Sequence, residues 1–153
     1  MAYTTIDKPT DYFNTVLYTG NGSTQTITGV GFQADFIWFK ERSSAAEHKL
    51  NNSVLGTNNY LISNSNAGDD TTGSGIQSYN SDGYAIGDAS NINDNSETYV
   101  TWNWKAGTSF TNDASSTGVG TIDSTGSVST DAGFSIISYT GTGSAGSIAH
   151  GLG

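Results

Sequence analysis

The sequence predicts an all-β protein, an antiparallel β-sandwich of the jelly-roll or lectin-like kind. Three observations support this fold class. The 153 residues include 20 glycines and one proline but few strong helix formers. Aromatic residues make up 11% of the chain, more than a disordered polypeptide carries. Short apolar runs alternate with Asn, Asp, Gly and Ser, which is the pattern of short strands joined by turns.

Charge and cysteine content narrow the classes of partner and chemistry. The net charge is −9 and only five residues are Lys or Arg, so we expect no nucleic-acid partner. The chain has no cysteine, which excludes disulfides, thiolate zinc sites and a cysteine nucleophile. No apolar stretch approaches the roughly 20 residues of a membrane helix, so no membrane insertion is expected. The first residues lack the pattern of a signal peptide, and we expect folding in a cytoplasm.

The N-terminal residues 1–11 are polar and contain the only proline, Pro9. They are predicted to form an N-terminal arm or attachment segment, with a frayed terminus as the alternative. Residues 12–131 are predicted to form the β-sandwich module itself.

The first elements of the module are predicted to be two strands joined by a turn. Residues 14–18 have the composition of a strand, and Asn21-Gly22 suits the left-handed backbone of a tight hairpin turn. The segment STQTITG mixes Thr with apolar residues, as a half-exposed strand does. The pattern therefore predicts a β-hairpin.

The segment ADFIWFKER is predicted to be a central strand. Strand alternation places Phe36, Trp38 and Lys40 on one face and Asp35, Ile37 and Phe39 on the other. Because both faces carry large apolar groups, we expect both to be covered.

The segment TYVTWNWKA predicts a second main strand. Val100, Trp102 and Trp104 share one face, and Tyr99, Thr101 and Asn103 form a more polar one. A sandwich wall has one face in the core and one in water, so we expect the polar face to contact solvent.

Shorter elements fill the rest of the module. HKLNNSV, NYLIS, GIQSYN and GYAIG are predicted as strands bounded by turn residues, and SSAAEHKL is the one segment that favours a helical turn. After Ala106 the chain has few apolar residues, and it is predicted to be a long hairpin, a loop or an interdomain linker.

A glycine pattern near the C-terminus has the spacing of a dinucleotide-binding turn. Gly141, Gly143 and Gly146 follow an apolar run as G-x-G-x-x-G. Such a turn holds pyrophosphate at the N-terminus of a helix, but the following SIAHGLG has no helical period. We therefore expect no nucleotide and no other cofactor.

The same C-terminal segment aligns with an earlier one. FSIISYTGTGSAGSIAHGLG, from Phe134, matches FNTVLYTGNGSTQTITGVGF, from Phe13. After one extra residue in the later copy, GVG at residues 29–31 falls on GLG at residues 151–153. An internal repeat indicates a repeated structural unit. Residues 132–153 are therefore predicted to begin a second, truncated module, with a chance match of two Gly/Thr-rich hairpins as the alternative.

Residues with catalytic or metal-binding chemistry are sparse. The two histidines, His48 and His150, are far apart in sequence, and no Gly-x-Ser-x-Gly motif is present. The paired acids Asp69-Asp70 lie in a polar loop, so no enzyme is expected. Residues 68–70 and 88–97 are rich in oxygen ligands, but the second lacks EF-hand spacing; we expect solvated turns and no metal.

Three tyrosines are the candidate glycan contacts. Tyr60, Tyr79 and Tyr84 lie beside Asn, Ser, Gly or Ala, and an aromatic face flanked by short polar groups can stack on a sugar. Packing in the core is the alternative for each of them.

The order of these segments resembles a family of bacteriophage virion proteins, especially those of marine phages. LYTGNGS, SYNSDGYAIG, TYVTWNWKAG and GFSIISYTGTGS follow one another as in a repeated β-rich module of long tail-fibre and other structural polypeptides. The family's DSVRG stretch is NSVLG here, with Asn52 and Leu55 at the Asp and Arg places, so a contact of that pair is not expected. The resemblance carries over no catalytic residue.

The resemblance implies a structural role. We expect a virion protein, a homo-oligomeric tail-fibre or appendage component that is made in the host cytoplasm and attaches to the virion and the host surface. Its partners would be other virion proteins, copies of itself and host surface glycans. A capsid decoration or head-fibre protein is one alternative, and a polysaccharide-binding or -degrading module is another.

Overall fold

The computed structural model describes residues 7–71 and 73–153, and nearly all of their regular structure is β-strand. The strands are Phe13–Thr19 (β1), Gln25–Ile27 (β2), Phe36–Glu41 (β3), Lys49–Asn52 (β4), Asn59–Ile62 (β5), Asp70–Thr71 (β6), Ile76–Asn80 (β7), Gly83–Ile86 (β8), Thr98–Trp104 (β9), Thr108–Asn112 (β10), Ser124–Ser129 (β11) and Phe134–Tyr139 (β12). One short α-helix, Ala114–Thr117 (α1), and a 3-10 turn, Pro9–Asp11, complete the described elements.

The described chain divides into two compact units, Lys8–Lys105 and Ala106–Gly153. The first unit contains a six-stranded sheet of order β1-β9-β3-β4-β5-β6 and a three-stranded sheet of order β2-β8-β7. All pairs of named strands are antiparallel. The predicted all-β, antiparallel fold class is confirmed, and it is consistent with a β-sandwich. A jelly-roll or lectin-like topology stays a prediction.

The core of the first unit is built from both of its sheets. Ile37 and Phe39 of β3 are fully buried, and they belong to one cluster with Ile76, Tyr84 and Ile86 of the smaller sheet. The rings of Phe39 and Tyr84 meet edge to face, with centroids 5.5 Å apart. Burial alternates strictly along β3 and β9, as expected when one sheet face lies on a core.

The second unit is a three-stranded antiparallel sheet of order β10-β11-β12. Of the three alternatives for the segment after Ala106, the pairing of β10 with β11 gives the long hairpin. The helix α1 lies in its connection, where the Asp113 carboxylate accepts the N–H groups of Ser115 and Ser116 as an N-cap. Gly118, at φ 70°, ends the helix in the left-handed conformation.

The predicted hairpin at Asn21-Gly22 is wrong, although the turn exists. Gly22 has φ 64°, as a tight turn requires. However, β1 pairs with β9 and β2 pairs with β8, so the turn carries the chain from one sheet to the other. Pairing with strands that are distant in sequence replaces the local hairpin.

The predicted orientation of β9 is also wrong. Thr101 and Asn103 are fully buried, whereas Trp102 and Trp104 are half-buried on the opposite face. The two faces of β3 separate as predicted, with Ile37 and Phe39 buried, but the Trp38 face is only half-covered.

The helical turn predicted in SSAAEHKL does not form. Residues 42–48 are irregular, and Lys49 begins β4. The serines of the segment bond elsewhere: the Ser43 hydroxyl accepts the Thr98 N–H at 2.8 Å, and the Ser44 hydroxyl donates to the Glu41 carboxylate. They are therefore engaged by neighbouring strands and not by a helix N-terminus.

The predicted domain boundaries stay predictions. Residues 1–6 of the N-terminal arm lie outside the described residues, and its last part forms the turn Pro9–Asp11. Residue 132 lies in the turn between β11 and β12, whereas the compact units divide after Lys105. In residues 7–71 and 73–153, no helix has the length and hydropathy to cross a membrane.

Candidate interaction face

A row of apolar side chains crosses the outer face of the six-stranded sheet, the face away from the core. Trp102 of β9 pairs with Trp38 of β3, Trp38 with Leu50 of β4, and Leu50 with Leu61 of β5. Cross-strand partners project from the same face of a sheet. Two residues before Trp102 on the same face of β9, Val100 pairs with Leu17 of β1. These six residues, Leu17, Leu50, Leu61, Trp38, Val100 and Trp102, are called the outer row below.

The outer row remains accessible to solvent. Leu17 is 63% exposed and Leu61 is 38% exposed, and the other four side chains are half-buried. The rings of Trp38 and Trp102 lie 5.6 Å apart at an angle of 61°. Single exposed apolar residues are ordinary, whereas large contiguous apolar patches are common at interaction surfaces.

The opposite face explains why the tryptophans point outward. The Tyr84 hydroxyl donates to the Thr101 hydroxyl oxygen at 2.9 Å, within the core. The Asn103 amide donates to the Asn14 carbonyl at 3.1 Å and to the Thr101 hydroxyl oxygen at 3.2 Å. These bonds offset the cost of burying the Thr101 hydroxyl and the Asn103 amide nitrogen, whereas the Asn103 amide oxygen has no hydrogen-bond partner among the described residues.

Burial also shifts the pKa values of the inner tyrosines. Desolvation raises the pKa of Tyr84 above its usual value, and it raises the pKa of Tyr99 to about 12. The pKa of Tyr18 is likewise raised well above the ordinary range, chiefly by burial. These hydroxyls therefore stay protonated at neutral pH. Those of Tyr18 and Tyr84 donate hydrogen bonds, and that of Tyr99 accepts the Asp94 N–H at 2.9 Å.

The outer face carries almost no charge. At the outward-facing strand positions of β1, β9, β3, β4 and β5, all within the described residues, none of the 14 Asp and Glu residues occurs. Lys40 is the one charged residue there, and its ammonium group donates to the Glu41 carbonyl. A protein of net charge −9 therefore has one sheet face from which acidic side chains are excluded.

The three candidate glycan tyrosines do not form a common surface. Tyr84 is fully buried, so its ring cannot stack on a sugar. Tyr60 is 8% exposed, with the Lys49 ammonium 4.2 Å from its ring centroid. Tyr79 packs partly against the core, and its hydroxyl donates to the Gly56 carbonyl at 3.3 Å. Tyr84 belongs to the core cluster, while glycan contacts of Tyr60 and Tyr79 stay predictions.

The Tyr60 neighbourhood is an ionic cluster with a structural role. Its hydroxyl donates to the Asp70 carboxylate at 3.0 Å, and burial is the main cause of its raised pKa. Burial also lowers the pKa of Lys49. The pKa of Asp70 is lowered, first by the Thr71 N–H and then by Tyr60. Asp70 therefore ties β6 to β5 and is not a lone acid on a mobile loop.

The oxygen-rich segment 88–97 is not simply a solvated turn. Asn93 is fully buried and its side chain bonds five groups of neighbouring loops. Among the described residues, no three His, Asp or Glu side chains come together as a metal site would require. His48 lies 6.4 Å from the Trp38 ring, while His150 belongs to the other unit.

The departures from the phage pattern have a local explanation. The Asn52 side chain accepts the Leu55 N–H at 2.9 Å, so the pair closes a turn without an ion pair.

Gly146, the third glycine of the G-x-G-x-x-G spacing, is a packing residue, because a Cβ there would lie 2.7 Å from the Ile122 Cδ1. No helix follows it, as the sequence indicated.

Sequence reasoning missed the outer row because it placed the tryptophan face in the core. The signal that could have found it was that β3 carries large apolar residues on both faces, with Phe36 and Trp38 on one and Ile37 and Phe39 on the other. One of these faces must lie outside when a sandwich has only two layers.

Comparison with known proteins adds a family but no activity. A family model described as a domain of unknown function (DUF7483) matches residues 8–153. No curated protein and no solved structure matches the chain significantly.

Proposed function

The chain belongs to the DUF7483 family over residues 8–153, and we propose that it is a structural component of a bacteriophage virion, in a tail fibre or appendage. Its copies associate through the outer row. The segment order shared with phage structural polypeptides supports the setting. The outer row carries the proposal, because among the described residues it leaves Leu17 and Leu61 exposed beside four half-buried apolar side chains, a surface that a second protein could cover.

The proposed occupant of the outer row is a second copy of this chain. Two molecules of net charge −9 repel each other, and the face that excludes carboxylates is where they can approach with the least repulsion. A two-fold interface uses the same patch on both subunits, which an apolar row permits.

The ring geometry favours a protein partner over a polysaccharide. Trp38 and Trp102 are inclined at 61°, so they do not make the flat platform on which successive sugar rings stack. The outer row also has few hydrogen-bonding groups, whereas sugar sites need several convergent ones. A glycan contact elsewhere on the chain remains part of the proposal for a host-facing appendage.

Sedimentation velocity on the purified chain tests the association. We expect a concentration-dependent dimer or larger species for the wild type, and a monomer when Leu17→Asp and Leu61→Asp are combined. Val119→Asp is the matched control, because Val119 is 53% exposed on the other unit and should associate as the wild type does. A wild type that stays monomeric at high concentration, or an unchanged double variant, would refute the interface.

Immunogold labelling of phage particles with an antibody raised against the chain tests the setting. Label on the tail or an appendage is expected. Label spread over the capsid would move the assignment to a decoration or head-fibre protein, and particles without label would overturn a virion role.

A further inference from the structure

The sequence YTG-x-GS occurs twice, at residues 18–23 and at residues 139–144. The first of these turns packs against a loop of its own unit. The Gly20 N–H donates to the Glu97 carbonyl at 2.8 Å, and the Gly20 carbonyl accepts the Ser96 N–H at 2.9 Å. The Gly22 N–H donates to the Asn93 carbonyl at 2.9 Å. Residues 93–97, called the clamp loop, therefore bind the backbone of the turn.

Side chains complete this docking. The Asn93 amide oxygen accepts the Asn21 N–H at 3.0 Å, and the amide nitrogen donates to the Ser23 carbonyl. Tyr18 stacks on Tyr99 at 5.0 Å between ring centroids, and its hydroxyl donates to the carbonyl of Ile92, beside the clamp loop.

Both turn glycines are needed for this close approach. A Cβ at Gly20 would overlap the Asp94 carbonyl oxygen, and one at Gly22 would lie 3.1 Å from the Asn95 Cβ. The glycines of this turn therefore fit the docked loop, in addition to allowing the left-handed φ of Gly22.

The second turn has the same local conformation. Gly143 has φ 72°, against 64° for Gly22. The Thr142 hydroxyl accepts the Ser144 N–H at 3.4 Å, as the Asn21 side chain accepts the Ser23 N–H at 2.8 Å. The later glycines also agree: residues 151 and 153 have φ 72° and 101°, and residues 29 and 31 have 84° and 87°. These matched φ angles support a true repeat over a chance match at the turn, whereas residues 146–148, the equivalent of β2, form no strand.

In the part of the chain that the structure describes, no loop contacts the second turn as the clamp loop contacts the first. Among the described residues, nothing lies within 4 Å of a Cβ at Gly141 or Gly143. Tyr139, the equivalent of Tyr18, is 54% exposed. Cavities of about 300 Å³ and 450 Å³ adjoin the turn, the first lined in part by Tyr139 and the second by Gly141 and Thr142.

We propose that residues 139–144 are a docking site for a loop with the chemistry of the clamp loop, presented by a separate module whose own first turn does not occupy that loop. The recognised chemistry is a loop with a buried Asn, whose amide bonds the turn backbone, and with carbonyls that accept the glycine N–H groups. The inference rests on the repeat inside this chain and is independent of the outer row.

One difference between the copies sets the strength of the contact. Gln25 donates to the Asn93 amide oxygen at 2.9 Å, and Gly146 stands at the equivalent place in the second copy. The second site therefore lacks the Gln25 hydrogen bond, and Thr142 replaces Asn21, whose side chain accepts from the Asn93 amide nitrogen at 3.2 Å. We expect it to bind a clamp loop more weakly than the first turn does.

The probe for the test is a synthetic peptide of residues 87–99, GDASNINDNSETY, added to the full chain. Its loop is partly held by its own bonds, such as the Asn93 N–H to the Ala89 carbonyl at 3.1 Å. Peptide and chain are both acidic, so the titration is run at high salt to screen their repulsion. Amide chemical shifts of the full chain report which residues the peptide contacts.

Three outcomes decide the proposal. We expect shifts confined to residues around 139–144, at least tenfold weaker binding of a peptide with Asn93→Ala, and at least tenfold weaker binding to a chain with Gly141→Ala. That chain variant should keep the wild-type melting temperature, because the space around Gly141 is empty. The docking site would be refuted if no amide chemical shift changed at millimolar peptide. It would also be refuted if either substitution left the affinity unchanged.

Discussion

Replacing Asn93 by Ala should be among the most costly single changes in the first unit. The side chain is fully buried and makes five hydrogen bonds. A typical hydrogen bond contributes about 1 kcal/mol net, and a buried group left unbonded costs about 1–3 kcal/mol. Asn21 and Ser23 are exposed, so water can replace their bonds, whereas the bond to the Gly87 carbonyl is buried. The expected loss is therefore about 2–4 kcal/mol.

The chemical nature of the substitution sharpens this prediction. Asn93→Asp keeps the acceptor for the Asn21 N–H but turns the donor to the Gly87 carbonyl into a carboxylate oxygen. A buried negative charge against a carbonyl oxygen is unfavourable, so this variant should be at least as unstable as Asn93→Ala. Asn95→Ala, at an exposed position two residues on, should stay within about 0.5 kcal/mol of the wild type.

Urea unfolding followed by tryptophan fluorescence measures these differences. The midpoint should fall for both Asn93 variants with little change in the slope, since the exposed surface is nearly the same. If Asn93→Ala were as stable as Asn95→Ala, the clamp would contribute nothing, and the docking argument for both turns would fail.

Two further predictions concern the first unit, one at Gly20 and one at Asp82. Gly20→Ala should destabilise the chain by about 1–3 kcal/mol, because its Cβ would overlap the Asp94 carbonyl, while Gly68→Ala, in open space, should be neutral; thermal melts compare them. Hydrogen bonds from the Gly31 and Gly29 N–H groups lower the pKa of Asp82 below its ordinary value of 3.8. Because the folded-state pKa is lowered, Asp82 contributes stability above its unfolded pKa, and this stability is lost as the pH falls below about 4. Asp82→Asn should therefore flatten the dependence of the unfolding free energy on pH in that range. An unchanged pH dependence in acid would count against this contact.

Local patterns predicted the strands because alternation is a property of each segment alone. The alternation in ADFIWFKER identified the two faces of β3, and turn residues bounded the short strands β4, β5, β7 and β8. The hairpin at Asn21-Gly22 failed for the opposite reason. Its geometry depends on Asn93, 72 residues away from Asn21, and no local pattern reports that contact.

The face of β9 was predicted wrongly because hydrophobicity was weighed without hydrogen-bond partners. Thr101 and Asn103 are polar, but their partners Tyr84 and Asn14 are 17 and 89 residues away in the chain. Once these bonds are made, the polar face can be buried and the tryptophans are left outside. The candidate site could therefore be located only after the register of the sheet was known.

Hydroxyl-radical footprinting of the associated protein tests the central claim most directly. The chain is oxidised at low and high concentration, and the modification of single residues is measured by mass spectrometry. If copies associate through the outer row, Leu17 and Trp102 should react several-fold more slowly in the associated state, while Val119 should react at the same rate in both. Association with no protection of Leu17 and Trp102 would contradict the account.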